Sequence, residues 1–324
     1  MPVVSVVIIF LNAERYIEEA VHSVYDQEFS DWELILVDDG STDRSSQIAR
    51  DLAAADERVH YLEHPGHQNR GMSATRNLGA AHAKAKYIAF LDADDTWTPR
   101  KLYDQVELLE RMPDVAMVSG AVLNWYSWDP KSTIADSIYQ PGDIADQRLD
   151  PPEAALALNP LRRGTSAIAE VLVRREAFEA VGGFEERFRG LYEDQAFYVK
   201  IFLRYPIYIS SSRWLYYRMH DDSCCGQLRR VSRAHTWRLR LTFFDWIREL
   251  EEQGWFDDAR VSAKLRLRRR ELKYALLASP IFEFIDRLND PSGPFAYISK
   301  RIKRRRSAAR SRASVMTDAL DPST

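Results

Sequence analysis

Tyr87-Ile88-Ala89-Phe90-Leu91-Asp92-Ala93-Asp94-Asp95 joins an apolar run directly to an acidic one. The apolar part has the length and continuity of a strand buried on both faces. Asp92 and Asp94 flank a single residue, so in extended chain they point the same way and can both reach one cation, or a cation and a sugar. In open parallel sheets, ligands bind beyond the carboxyl ends of the strands, which is where these carboxylates fall.

The same pattern repeats upstream. Residues 3–10 are a second continuous apolar run rich in Val and Ile, and residues 32–37 a third, ending at Asp38-Asp39-Gly40-Ser41-Thr42-Asp43. Helical spacing of Tyr16, Ile17, Ala20, Val21 and Val24 predicts a helix between the first two strands. Ser41 to Asp43 offers an N-cap for a helix through Ile48 and Leu52. A short strand at 59–62, a helix at 73–83, and a Thr98-Pro99 cap opening a helix to about Met112 continue the alternation. The fold class expected is α/β, a mostly parallel central sheet flanked by helices. Further on, strands are expected near 115–122, 168–173, 207–210 and 214–219, and helices at 175–181 and 193–205, with an irregular stretch over 115–160. Beyond Gly226, residues 229–252 and 257–277 read as two long helices, a C-terminal helical extension. The expected boundaries are a catalytic domain at 1–225, a helical region at 226–298 and a basic, disordered tail at 299–324.

Composition narrows the function class. The chain has 324 residues, 45% of them hydrophobic, enough for a sizeable core. A net charge of -3 gives no general pull toward nucleic acid. Cys224 and Cys225, adjacent to each other, make neither a disulfide framework nor a metal set. No basic leader precedes the first apolar run, and no stretch reaches the length of a membrane span. The expected location is the cytoplasm, with contact to the inner face of a membrane through basic C-terminal segments. No Gly-Xaa-Gly-Xaa-Xaa-Gly or Walker-type loop follows the first strand, which argues against a dinucleotide oxidoreductase or a P-loop enzyme.

Taken together, several stretches resemble the family-2 glycosyltransferases of the GT-A fold. They are residues 4–9 with Asn12, Glu14, Tyr16 and Ile17; Ser23, Val24 and Gln27; the 38–43 run; Ala74-Thr75-Arg76-Asn77-Leu78-Gly79; the 87–95 stretch with Trp97, Pro99, Lys101 and Leu102; Gly182-Gly183-Phe184; Glu193-Asp194; and Tyr217-Arg218-Met219-His220 with Ser223. The resemblance covers roughly the first 225 residues.

That resemblance implies an inverting transfer of a sugar from a nucleotide-diphosphate donor, a UDP-sugar, to a hydroxyl acceptor such as a glycan or lipid-linked saccharide of a cell-surface polysaccharide. It implies Mn²⁺ or Mg²⁺ as cofactor. Donor-binding residues would be Phe10, Asn12, Glu14, Asp39, Arg76, Asp92, Ala93 and Asp94, with Asp39 accepting from the ring N–H of the base. Asp94 would be the principal metal ligand, with Asp92 and His220 beside it. Asp194, in the Glu193-Asp194 pair, would be the general base. Glu193-Asp194 also suits a helix start, where carboxylates complement the dipole, and His220 also reads as a surface loop residue.

Two departures stand out. Leu11 occupies a position where the family often has an aromatic residue, and the Gln/Arg-Xaa-Xaa-Arg-Trp signature of processive synthases is absent, which favours single addition. Trp125, Tyr126 and Trp128 read equally as an acceptor wall or as a satellite core under a loop. Arg162-Arg163-Gly164 could approach an anionic acceptor. Lys264, Arg266, Arg268, Arg269 and Arg270, and the eight cations within 300–312, suit anionic headgroups or plain solvation. A sugar-nucleotidyltransferase and a non-catalytic sugar-nucleotide-binding or scaffold protein are the competing readings.

Overall fold

All seven residues of β1 (Val4–Phe10) are buried, and so are all seven of β2 (Trp32–Asp38). Strands without an exposed face must lie in the interior of a sheet covered on both sides, and the computed structural model places them there. The residues described are 1–158, 160–161, 167–223, 226 and 233–278. The Arg162-Arg163-Gly164 segment, Cys224-Cys225 and the cation-rich 300–312 stretch lie outside them.

The remaining strands are β3 (Val59–Glu63), β4 (Tyr87–Asp92), β5 (Thr96–Trp97), β6 (Met117–Trp125), β7 (Ser137–Tyr139), β8 (Gln147–Leu149), β9 (Leu172–Arg174) and β10 (Ile207–Arg218). Their order is β3-β2-β1-β4-β9-β6-β10-β5, with β7 beside β6 and β8 beside β10. The expected parallel pairing holds across β3, β2, β1 and β4 and again between β6 and β10. The short β9 runs antiparallel between β4 and β6, so the sheet is mixed beyond β4. Register sets Phe10 opposite Asp38 and Ile9 opposite Asp92, so both acidic runs begin at the carboxyl end of β1.

The helices are α1 (Ile17–Tyr25), α2 (Ser45–Ala55), α3 (Met72–His82), α4 (Lys101–Arg111), α5 (Glu153–Ala157), α6 (Arg175–Ala180), α7 (Glu193–Arg204), α8 (Arg233–Glu252) and α9 (Ala259–Leu277). In α1, Ile17, Ala20, Val21 and Val24 are all buried, the i, i+3, i+4, i+7 stripe that docks a helix on a sheet. α3 lies unusually close to its sheet. A Cβ on Gly79 would stand 2.4 Å from a Val7 methyl, so only glycine fits. Among the described residues, no helix is long and apolar enough to cross a membrane.

Several expected boundaries moved. The two short strands at 207–210 and 214–219 are one strand, β10, with register shifts between Ile209 and Leu215. Its polar Ser211, Ser212 and Arg213 are exposed there and hide the continuity from an apolar pattern. The strand expected at 168–173 begins as a single 3-10 turn, Ile168–Glu170, before β9. The buried Glu170 carboxylate accepts from Gly120 N (2.7 Å) and its carbonyl accepts from Gln105 Nε2 (2.8 Å), which hold the turn. α2 opens at Ser45 rather than at the 41–43 run, with Asp43 Oδ1 accepting from Ser45 N at 2.9 Å. α4 opens at Lys101, not at Pro99.

The chain forms two compact units, Met1–Arg230 with Phe243–Arg268, and Val231–Thr242 with Arg269–Thr324. Within the first, Phe243 stacks on Tyr192 at 4.6 Å, Trp246 meets Phe188 edge-on at 5.4 Å, and Arg187 pairs with Glu249 at 2.7 Å. Residues from α8 thus buttress the entry to α7. Of the second unit, the described residues are the first half of α8 and the last part of α9.

Candidate active site

The loop after β1 is latched to the loop after β2. Asn12 takes a left-handed φ of 53° that points its side chain across, and its Oδ1 accepts from Thr42 N (2.7 Å), Thr42 Oγ1 (3.2 Å) and Asp43 N (3.3 Å). Glu14 Oε2 accepts from Arg44 N at 3.0 Å, and Glu14 N donates to Asp43 Oδ2 at 3.1 Å. Asp39, 5% exposed, accepts from Arg70 N (2.7 Å) and from Gly71 N at both oxygens (3.1 Å each), which fixes the start of α3. Gly40 makes the intervening turn possible: its φ is +86°, and a Cβ there would lie 2.9 Å from backbone atoms of His67 and Asn69. Phe10 and Ala93 bury their side chains in the core, so at the rim they offer backbone.

α3 carries Arg76 to the end of β4. The guanidinium is 3% exposed and pairs with Asp92 Oδ1 at 2.5 Å. Burial works against its charge, but Asp92, with Glu193 and Asp194 adding to it, raises the pKa instead. On the facing helix α7, Glu193 and Asp194 open the first turn. Tyr192 before them sits at φ 68°, held by its stack on Phe243. Glu193 accepts from Gly190 N at 2.7 Å, and burial pushes its carboxyl up to about 7. Asp194 is partly buried, and its pKa is raised by burial against the pull of Arg76. Buried carboxylates with raised pKa beside a cation are typical of groups that exchange protons.

On the other side of the acidic turn, His220 Nε2 lies 3.0 Å from Asp94 Oδ2. Two residues earlier stands Arg218, to which the family resemblance assigns no role. Because β5 pairs antiparallel with β10, Thr96 lies opposite Tyr216, and the Asp94-Asp95 turn falls beside Arg218. Arg218 N donates to Asp95 Oδ1 (2.8 Å), its Nε to the Asp94 carbonyl (2.7 Å) and its Nη2 to Glu19 Oε2 (2.6 Å). Its guanidinium lies within 4.6–5.1 Å of the ring centroids of Trp125, Tyr16 and Trp128. Asp95 was also without a role. It is 1% exposed, its Oδ2 has no hydrogen-bond partner among the described residues, and burial with Asp94 and Asp92 nearby holds its pKa well above the usual carboxylate range. The signal for both was positional: Asp95 closes the acidic run, and Arg218 stands two residues before the histidine.

The structure therefore gathers Arg76, Asp92, Glu193 and Asp194 on one side of the β4 end and Asp94 with His220 on the other, while Asn12, Glu14 and Asp39 form the neighbouring rim. Asp92, Asp94 and His220 do not converge on one point. Among the described residues, the three-ligand group that does is Asp38, Glu63 and His67. That group is already tied up, with Tyr61 Oη donating to Glu63 Oε2 at 2.6 Å and His67 Nδ1 lying 3.1 Å from the same oxygen. The Asp94 side still fits a hard divalent ion. Such an ion commonly takes one or two carboxylates and completes its shell with substrate phosphates and water. Asp94 is 31% exposed, and the Nδ1 of His220 is buried without a hydrogen-bond partner among the described residues.

Comparison with known proteins bears on the fold that carries these residues. The model of glycosyl transferase family 2 matches residues 5–157. The putative teichuronic acid biosynthesis glycosyltransferase TuaG of Bacillus subtilis is 44% identical over 110 residues, 33% of this chain and 42% of that protein. The chain spans about half, or less, of the curated relatives it matches. TarS of S. aureus in complex with UDP-GlcNAc superposes with a TM-score of 0.59 at 16% identity, over 81% of this chain and 70% of that one. The mannosyltransferase PcManGT of Pyrobaculum calidifontis, in complex with GDP-Man and Mn²⁺, does so with a TM-score of 0.55 at 18% identity, over 92% of this chain and 83% of that one. At such identities the likeness shows the fold. The family model matches just under half of the chain, over the strands that carry both acidic runs, so the chain is similar to glycosyl transferase family 2 and shares the GT-A fold.

Proposed function

We propose that the chain is an inverting glycosyltransferase of polysaccharide biosynthesis, moving a sugar from a UDP-sugar to a hydroxyl of a glycan or lipid-linked saccharide. The observation that carries this reading is the field around Arg76: one buried guanidinium paired with Asp92 and felt by both Glu193 and Asp194. Asp194 takes the acceptor hydroxyl proton as that oxygen bonds to the anomeric carbon. The bond from this carbon to the diphosphate breaks, and its electron pair leaves with the diphosphate. One base and one in-line displacement suffice for inversion, with no covalent intermediate. Arg76 orients Asp92 toward the sugar and offsets the negative charge gathered there. Asp39 binds the base, with Asn12, Glu14 and the backbone of Phe10 shaping that rim.

Asp94, with His220 beside it, would hold Mn²⁺ or Mg²⁺, which when bound supplies positive charge to the leaving diphosphate. Support for a nucleotide-sugar donor comes from TarS and PcManGT, found with UDP-GlcNAc and with GDP-Man. The basic end of α9 leaves Tyr274 and Leu277 exposed, which supports a peripheral contact with an anionic membrane surface.

The test is a thermal-shift panel of nucleoside diphosphates and nucleotide sugars, with and without Mn²⁺. Binding to the folded state stabilises it by about 2.7 kcal/mol at a hundredfold excess over Kd. A metal-dependent shift with UDP and its sugars is expected. A shift with guanosine nucleotides alone would replace the base assignment, and no shift with any nucleotide would overturn the donor site.

A further inference from the structure

Three consecutive residues at the end of β10 are each gripped by the elements around them. Arg218 bonds to the Asp94 carbonyl, to Asp95 and to Glu19. Met219 N donates to the Trp125 carbonyl at 3.0 Å, and the Met219 carbonyl accepts from Trp128 Nε1 at 3.0 Å. His220 Nε2 lies 3.0 Å from Asp94 Oδ2. Tyr16 and Trp128 stand against both side chains. Their ring centroids lie 5.1 Å from the Arg218 guanidinium, and 5.2 and 6.1 Å from the His220 ring. The acidic turn is also closed on itself, with Asp95 N donating to the Asp92 carbonyl at 3.0 Å.

We propose that Arg218 is a positioning residue that holds the Asp94 carboxylate at His220, ready for a divalent ion, and that Glu19 on α1 positions Arg218 in turn. This rests on the metal reading above and deepens it by naming what keeps the ligands in place.

The guanidinium uses separate nitrogens for separate partners. Nε reaches the Asp94 carbonyl and Nη2 reaches Glu19, so one planar group ties α1 to the turn. A lysine ammonium is a point charge on a flexible stem and does not reproduce that fixed fork. Arg218 takes hold of Asp94 through its backbone, which leaves the carboxylate to face His220 and the ion. Its charge needs an offset, because a buried guanidinium beside a dication would repel it. The side chain is 4% exposed, so water does little of this. Glu19 supplies the opposite charge, and the rings of Tyr16, Trp125 and Trp128 present their negative faces. Arg218 can therefore act by geometry without opposing the metal.

The experiment compares the full chain with its Arg218→Lys and Glu19→Gln variants. Mn²⁺ binding in the presence of UDP is followed by electron paramagnetic resonance, and the ring-nitrogen NMR signals of His220 are followed in the metal-free chain. Arg218→Lys is expected to weaken Mn²⁺ binding about 10- to 100-fold, the usual cost of losing a group that orients a metal ligand, and to move the His220 signals. Glu19 is half-exposed, so Glu19→Gln should weaken Mn²⁺ binding by about threefold to fivefold. Unchanged Mn²⁺ affinity and unchanged His220 signals in a folded Arg218→Lys chain, with only the melting temperature lowered, would make Arg218 a structural residue and overturn the proposal. If Arg218→Lys does not fold, Glu19→Gln decides alone, and no change in either readout overturns it. Should the wild type bind no Mn²⁺ while the His220 signals still move in Arg218→Lys, the metal reading fails and the hold on Asp94 stands.

Discussion

The acidic runs at 38–43 and 92–95 both follow parallel strands, both flank the end of β1, and are used in opposite ways. After β2, Asp38, Asp39 and Asp43 spend their oxygens on backbone N–H groups and hydroxyls. Ser41 N reaches Asp38 Oδ1 at 2.8 Å, Ser46 and Tyr61 bond to its other oxygen, and Asp39 holds the start of α3. After β4, Asp92 and Asp94 face a cation and an imidazole, and Asp95 keeps an unpartnered buried oxygen. Carboxylates engaged by their own loops are held in place, so that in the proposed site Asp39 meets the base in a fixed position, whereas carboxylates facing charged partners in a partly open site are available for chemistry. Like residues at like positions divide into frame and site according to what surrounds them.

The largest effect that would sharpen this contrast is on the α7 side. Asp194→Asn should lower the single-turnover transfer rate by roughly 10²–10⁴, the usual worth of a general base, with nucleotide affinity unchanged. Transfer at the normal rate would move the base elsewhere. Next, Asp94→Ala should weaken Mn²⁺-dependent nucleotide binding on the order of 10- to 100-fold or more; titration calorimetry giving equal affinities would place the metal outside the 92–95 turn.

Glu193→Gln probes the burial of this charge. The folded state keeps the Glu193 proton up to about 7, against an ordinary glutamate value of 4.5. Between these values the folded chain binds more protons than the unfolded one, so stability falls as pH rises through that window. Glutamine removes the dependence. The variant should therefore match the wild type near pH 4.5 and be more stable at pH 8, by roughly 1–3 kcal/mol. A flat difference between the two melting curves across pH would mean that Glu193 is not held protonated.

The smallest effect belongs to the frame. Asn12→Ala removes three accepted hydrogen bonds and leaves an alanine in a left-handed conformation. A loss of about 1–2 kcal/mol in stability is expected, with transfer near the wild-type rate below the melting temperature. Weakened nucleotide binding at full stability would show that Asn12 touches the donor directly and does more than shape its rim.

Much of this was legible because the first strands are continuous apolar runs ending in carboxylates, and because Ile17 to Val24 repeat at helical spacing. Such periodicities are set locally. The resemblance gave Arg76 to the donor but not its pair with Asp92, which depends on how closely Gly79 lets α3 approach β1. The division between the two acidic runs was not legible at all. It rests on partners such as Ser46, Tyr61 and His67, which carry no chemical signature in one dimension. An apolar pattern divides β10 in two because its middle is exposed and polar, and its unity is what carries Arg218 to the turn.

Arg218 also fixes the order in which the site can come into being. Its bond to Asp95 spans 123 residues and its pair with Glu19 spans 199. During synthesis at roughly 5–20 residues per second, Arg218 leaves the peptidyl-transferase centre about 6–25 s after Asp95. The β1-β2-β4 half of the sheet exists as sequence well before the residue that clasps its acidic turn. A nascent chain interrupted ahead of β10 would own the whole 92–95 run and lack the donor that positions it, so the acquisition of a shaped site and the completion of the sheet become a single late event.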